Sequence, residues 1–381
     1  MRIVHVSDTF LPRLGGIEAH VSDLAARQAA AGHEVHVVTD TPAGAAAYEP
    51  AVHRLRGGWV RELVLGSLES AESVLGLHPD VVHCHNSILS PLALNVASMT
   101  STAGVPTAVT VHSLLPKVGP ILPLSGALLS IRGGRVAWSA VSEAAAGPVR
   151  RVLGSGTRVD VVGNAVDVEW WRERSSLPRH GDEVRVVTVG RLATRKRVLP
   201  LVRMMARVRQ AVPADVRLRL DVVGDGPQLG QLRRELEARR MSSWVSLPGH
   251  LDRGAVRDVL AAADVYVAPA RLESFGIAAL EARCLGLPVV AHAHSGITEF
   301  IEHGVDGMLV VGDRAMSDAL AELVSTPALR DRMRLHNVAV APRSTWDSAL
   351  LETDRLYARA GHLAVGHRGL RPSEATAVKT S

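Results

Sequence analysis

Short runs of β-branched residues alternate with longer stretches whose apolar positions recur at helical spacing, from one end of the chain to the other. That alternation predicts parallel sheets with helices on both faces, an α/β architecture. The first repeat of the pattern is the clearest. A strand over 2–7 leads through Gly15-Gly16 to a helix from Ile17 to Ala31, with Ile17, Val21, Leu24 and Ala25 on one face and Gly32 at its end, and a strand over 34–39 follows. Further strands are predicted over 80–84, 106–111, 135–141 and 158–162, making 1–167 one doubly wound, Rossmann-like domain. The pattern stops after Asp167, and 168–183 reads as a linker. It restarts with strands over 184–189, 216–223, 244–247, 264–268, 287–291 and 307–311, each followed by helical pattern, so 184–344 is a second Rossmann-like domain. A helix over 345–361, carrying Trp346, Leu350, Leu351 and Leu356, comes after that domain is complete and is expected to pack back on the first. The polar, aperiodic stretch 362–381 is expected to be disordered.

Composition adds limits. A chain of 381 residues with 47% apolar content supports two cores of ordinary domain size. Its N-terminus reads as a strand rather than a signal peptide, and no apolar run reaches the ~18 residues needed to cross a bilayer. A cytoplasmic protein is therefore expected. The net charge of +5 comes almost wholly from arginine, since Lys117, Lys196 and Lys379 are the only lysines. It suits anionic small molecules or an anionic membrane surface. Aromatics at 3% argue against the stacking platforms of nucleic-acid binders. Cys84 and Cys284 lie in apolar stretches without a second cysteine nearby and read as inert core thiols.

Doubly wound folds bind ligands beyond the carboxyl ends of their strands, so candidate chemistry is expected at those ends. Gly15 and Gly16 stand between strand and helix, where backbone N–H groups can approach a phosphate; an ordinary tight turn reads the same way. His112 ends the strand over 106–111, a position expected to aim its ring into a cleft rather than the core. In Gly190-Arg191-Leu192-Ala193-Thr194-Arg195-Lys196, Arg191 can fork onto two phosphate oxygens while Lys196 supplies a point charge. A lysine stands out in a chain that otherwise uses arginine. Gly224-Asp225-Gly226-Pro227 resembles a dinucleotide fingerprint but lacks its third glycine, and reads as a tight turn. The stretch Glu273-Ser274-Phe275-Gly276-Ile277-Ala278-Ala279-Leu280-Glu281 begins a helix. Glu273 is expected in the loop before it and Glu281 about two turns in, with the N–H groups around Phe275, Gly276 and Ile277 at the positive end. No Asp-x-Asp occurs, so the residues suggest neither a metal nor a cofactor.

Taken in order, Gly15-Gly16, His112, Arg191 with Lys196, Gly224-Asp225-Gly226-Pro227 and the Glu273-x7-Glu281 element resemble the retaining GT4 family of glycosyltransferases, over roughly residues 1 to 310. The resemblance implies a GT-B fold, two Rossmann-like doubly wound domains facing across a cleft. It also implies a nucleotide sugar, UDP- or GDP-linked, as donor, and a metal-independent reaction. Carried onto the matching positions, it makes Gly16 a neighbour of the donor phosphates, Arg191 and Lys196 the diphosphate ligands, Glu281 the ribose ligand and Glu273 the ligand of the sugar hydroxyls. His112 would contact that sugar and support the charge developing at its anomeric carbon. Ser7 to Glu18, His83-Cys84-His85-Asn86-Ser87 and Gly163-Asn164-Ala165-Val166-Asp167 are similar to the branch that includes phosphatidylinositol N-acetylglucosaminyltransferase and inositol-phosphate glycosyltransferases. Two departures stand out: Gly163 replaces a usual proline, and His294-Ser295-Gly296 replaces a common Gly-Gly pair.

The acceptor is left as a sugar, an inositol or a lipid. Residues 117–135, an apolar stretch flanked by Lys117, Arg132 and Arg135, suit either a buried loop or a peripheral membrane contact. A nucleotide-sugar epimerase and a non-catalytic nucleotide-sugar-binding protein on the same fold are the alternative readings.

Overall fold

The computed structural model describes residues 1–13, 15–43, 51–55, 68–87, 90–114, 134–154, 156–175 and 183–368. The segment 117–133, considered above for membrane contact, lies outside them. Among the described residues no helix is long and apolar enough to cross a membrane.

The chain divides into two units, Met1–Val162 with the chain from Leu350 onward, and Gly163–Ala349. In the first, β1 (Arg2–Ser7), α1 (Gly16–Ala30), β2 (Glu34–Thr39), β3 (Ala51–Arg54), α2 (Leu68–Leu75), β4 (Val81–Asn86), α3 (Pro91–Thr102), β5 (Thr107–Val111), β6 (Ala137–Ala140), α4 (Glu143–Leu153) and β7 (Val159–Val161) build a seven-stranded parallel sheet. Its order is β3-β2-β1-β4-β5-β6-β7, so the winding reverses between β1 and β4. The strands are buried along nearly their whole length because helices cover them, which is why β1, β4, β5 and β6 read as continuous runs rather than alternating ones. β3 escapes the sequence pattern: Val52 is its only large apolar residue and none of its residues is fully buried.

The second unit runs through α5 (Val168–Arg172), β8 (Glu183–Val189), α6 (Val198–Ala211), β9 (Arg217–Val223), α7 (Leu229–Ala238), β10 (Val245–Gly249), α8 (Arg253–Ala261), β11 (Val265–Ala268), α9 (Ile277–Cys284), β12 (Val289–His292), β13 (Gly307–Val310), α10 (Asp313–Ser325) and α11 (Pro327–Ala339). Its six parallel strands are ordered β10-β9-β8-β11-β12-β13, and the reversal falls between β8 and β11. Val186, Leu201, Met205, Leu220, Val265 and Leu320 sit in its core.

Two expected boundaries change. The linker begins as a packed element: Asp167 caps α5 by accepting from the Trp170 N–H at 3.1 Å, and Trp171 is fully buried. Arg257 stacks its guanidinium 3.8 Å from the Trp170 ring centre and donates to the Trp170 carbonyl at 2.7 Å. With so few apolar residues the turn has no visible period. The last helix, α12 (Trp346–Arg368), also runs past residue 361 into the stretch expected to be disordered. Leu356, Tyr357 and Ala360 enter the core of the first unit beside Ile3, Phe10 and Val37, and Arg359 donates to the Trp138 carbonyl at 2.5 Å.

Candidate functional site

The second unit concentrates its chemistry at the carboxyl ends of β8 and β11, the position where the winding reverses and a crevice is expected. β8 is followed by Gly190, and the chain passes through a single turn of 3-10 helix, Thr194–Lys196, before α6. β11 ends in the loop that carries Glu273. Lys196 Nζ donates to Glu273 Oε2 at 2.5 Å, with Lys196 partly exposed and Glu273 mostly buried. Arg197 adopts the left-handed conformation (φ 56°) and grips Asp313, the first residue of α10, through two bonds of 2.6 and 2.7 Å. Arg271 reaches the same carboxylate at 2.9 Å. The lysine's turn is thereby anchored by its neighbour, leaving Lys196 at a defined place. Arg191 is exposed.

Glycines set the spacing of this floor. A Cβ on Gly224 would lie 2.0 Å from the Gly190 carbonyl oxygen, and one on Gly226 would lie 2.6 Å from that of Leu192. The Gly190–Leu192 and Gly224–Gly226 turns therefore interlock, joined by Leu192 N–H to Asp225 O at 2.8 Å. A Cβ on Gly296 would fall 1.9 Å from the Ser274 carbonyl, and Gly296 N–H donates to Glu273 O at 2.8 Å. The Ser295-Gly296 variant of the pair thus still seats the Glu273 loop, with Ser295 Oγ donating to His292 O.

α9 starts at Ile277 with Gly276 as a left-handed N-cap (φ 94°). Its first-turn N–H groups make the positive end there. Glu281 is its fifth residue, about one turn in rather than two, because Glu273 to Phe275 are loop. Both carboxylates act on the buried Tyr266 hydroxyl, whose pKa is raised by burial and further by Glu273 and Glu281. Phe275 is buried against Phe300 and beside Gly163, so its side chain serves packing. Proline at 163 would crowd that ring, whose nearest atom is already 3.4 Å from a Cβ built there.

In the first unit Gly15 is the N-cap of α1 and Gly16 its first residue. The Glu18 carboxylate folds back over them, 2.4 Å from a Cβ built on Gly15 and 3.5 Å from Arg13 Nε. His112 directly follows β5, and its ring is buried: Nε2 lies 3.0 Å from His85 Nδ1, His20 of α1 packs beside the ring, and Nδ1 has no hydrogen-bond partner among the described residues.

Around it lies a polar layer that sequence reading missed. The β1–β4 register pairs His5 with His83, and His85 follows two residues on, so all three share one face beneath α1 and α12. Their ligand atoms lie within 4.8 Å of one another, but every ring nitrogen of the three already meets a protein group. The signal was present: histidines two apart in a strand share a face. Burial drives these rings neutral, lowering His5 and His20 to about 4 and His83, His85 and His112 well below the usual value. Cys84 and Cys284 are buried and their thiol pKa values are pushed up by burial.

Comparison with known proteins adds the family. Residues 14–170 match the Glycosyltransferase Family 4 profile and 170–337 the Glycosyl transferases group 1 profile. The chain is 28% identical to the D-inositol 3-phosphate glycosyltransferase of Pseudarthrobacter chlorophenolicus, over 93% of this chain and 92% of that one. It is also 28% identical to the GDP-mannose-dependent alpha-(1-6)-phosphatidylinositol dimannoside mannosyltransferase of Mycobacterium tuberculosis, covering 97% and 98%. Among solved structures it resembles sucrose-phosphate synthase from Thermosynechococcus elongatus, with a TM-score of 0.74 at 19% identity over 94% and 98% of the two chains.

Proposed function

Because the chain belongs to the family 4 glycosyltransferases and uses a nucleotide sugar, we propose that it transfers a hexose or N-acetylhexosamine from UDP or GDP to a hydroxyl of an inositol-containing acceptor, with retention and without a metal. The Lys196–Glu273 pair at the end of β8 and β11 carries this reading. A lysine and a carboxylate in contact suit a ligand that carries anion and hydroxyls side by side, as a sugar diphosphate does. Lys196 and Arg191 neutralise diphosphate oxygens, Glu273 accepts from sugar hydroxyls, and Glu281 accepts from the ribose. The first-turn amides of α9 meet the remaining phosphate oxygens.

In this reaction the bond between the anomeric carbon and the diphosphate oxygen breaks, and its electron pair leaves with the diphosphate. Preorganised cations stabilise that charge without reorganising. The acceptor oxygen bonds to the anomeric carbon on the same face, and its proton passes to a diphosphate oxygen. Retention then needs no protein nucleophile. His112 contacts the donor sugar, and an inositol acceptor is supported by the relatives named above.

The test is a panel of UDP- and GDP-sugars with inositol phosphate, phosphatidylinositol vesicles or a glucan primer as acceptor, run with and without EDTA. Product carrying the donor's own anomeric configuration on an inositol hydroxyl, unaffected by EDTA, is expected. An inverted product, loss of turnover in EDTA, or transfer to the glucan alone overturns the corresponding part.

A further inference from the structure

Four imidazoles of the first unit belong to one hydrogen-bonded network. Gln28 Oε1 lies 2.7 Å from His5 Nε2, His5 Nδ1 lies 2.9 Å from His85 Nε2, and His85 Nδ1 lies 3.0 Å from His112 Nε2. A second arm leaves the same amide. Gln28 Nε2 donates to Tyr357 Oη at 3.1 Å, and Tyr357 Oη lies 3.0 Å from His83 Nδ1. His83 Nε2 is 2.7 Å from Thr110 Oγ1, which is 2.7 Å from Ser139 Oγ, and that hydroxyl reaches the Val109 carbonyl at 3.4 Å.

A neutral imidazole has one N–H and one lone pair, so each link sets the next. The Gln28 carbonyl only accepts; His5 therefore carries its proton on Nε2 and accepts at Nδ1. His85 must then donate from Nε2, which leaves its Nδ1 to accept, and His112 must donate from Nε2 in turn. On the other arm Tyr357 takes the Gln28 N–H and donates its own proton to His83 Nδ1, and the remaining protons pass through Thr110 and Ser139 to a backbone carbonyl. Every proton in this arrangement has an acceptor.

Turning the amide over reverses both arms and ends with an N–H on His112 Nδ1. That atom is buried with no hydrogen-bond partner among the described residues. A buried donor without an acceptor is rarer than an under-used acceptor, so the first direction is the stable one. The imidazoles are also too deeply buried to protonate near neutral pH, which keeps the one-proton rule in force.

We propose that His85, His5 and Gln28 are positioning residues that hold His112 in its Nε2–H tautomer, so that Nδ1 offers a lone pair to a hydroxyl of the donor sugar. This rests on the reading that His112 contacts that sugar. A lone pair at Nδ1 accepts from a hydroxyl and turns away a phosphate oxygen, which has no proton to give. It also suits a sugar gaining positive charge, which an imidazolium would oppose.

The experiment is long-range 1H–15N correlation on the full chain labelled with 15N-histidine, with the His112 signals identified by their loss in His112→Asn. The Nε2–H pattern is expected at His112. In His85→Phe, which removes the acceptor, that pattern becomes mixed and kcat falls about tenfold to a hundredfold, while the donor KM moves less than about threefold. His85→Asn places an oxygen near the position of Nδ1 and restores both the pattern and most of kcat. Gln28→Met removes the anchor from another element and gives the same signature if His85→Phe does not fold. A Nδ1–H or doubly protonated His112 in the unaltered protein, or an unchanged His112 pattern in the folded variants, overturns the proposal. Full activity of His112→Asn would instead remove the sugar contact and leave the tautomer assignment standing.

Discussion

Lys196 Nζ and Glu273 Oε2 meet at 2.5 Å, tying the turn after β8 to the loop before α9. Neither group is spent by the contact, since Lys196 has two further donors and Glu273 a second oxygen. We expect Lys196→Ala and Glu273→Gln each to lower kcat/KM for the donor by about 10²- to 10³-fold. The double variant should lose much less than the product of the two, because partners in one network are not additive. Steady-state transfer with the preferred nucleotide sugar measures both, and simple multiplication of the two effects would show that the pair does not act as a unit.

Glycine substitutions should separate by what their Cβ would meet. Gly224→Ala and Gly296→Ala drive a methyl group into backbone oxygens at 2.0 and 1.9 Å, and should cost about 2–4 kcal/mol of the second unit's stability. Gly361, inside α12, has nothing within 4 Å of a built Cβ, and Gly361→Ala should stabilise by about 0.5–1 kcal/mol. Denaturant unfolding of the three variants against the parent decides.

Acid should unfold the first unit. Burial lowers His5 and His20 to about 4 in the folded chain against 6.5 in an unfolded one, and holds His83, His85 and His112 well below 6.5. Between these values the unfolded chain binds more protons, so stability falls as the pH drops from 6.5 toward 4. Asp8, half-buried, is raised to about 7 by desolvation although it accepts from the N–H groups of Leu92 and Ala93, and it works the other way, since its folded carboxyl takes the proton first. Asp8→Asn removes that opposing effect and should steepen the loss. Melting temperature against pH checks both, and a flat profile would contradict the buried neutral cluster.

Tyr357→Phe deletes the hydroxyl that links Gln28 to His83 and should cost about 1–3 kcal/mol, since buried polar groups lose a partner on each side. Unfolding followed at near-ultraviolet wavelengths measures it. A neutral result would mean that another group satisfies the amide.

The loop glycines, Arg191, Lys196, Glu273 and Glu281 were legible because each lies in the strand-to-helix segment that follows a strand or early in the next helix, and strand ends follow from local pattern alone. Helix Val168–Arg172 was not, since one short turn held by a cap and a cation over Trp170 leaves no period to read. His112 was legible as a strand-end residue, but its burial was not, because that depends on His85 and His20, neighbours distant in the chain.

Alternation of strand and helix, the glycines and the spacing of charged residues determined by themselves the two α/β units and the class of chemistry, because these depend on local propensity and periodicity. The tertiary structure alone decided that Lys196 meets Glu273 across 77 positions, that Arg197 anchors its turn on Asp313, and that Gln28, His5, His85 and His112 form one line. Those pairings depend on strand order and register, which set distant residues side by side and which no local stretch of sequence specifies.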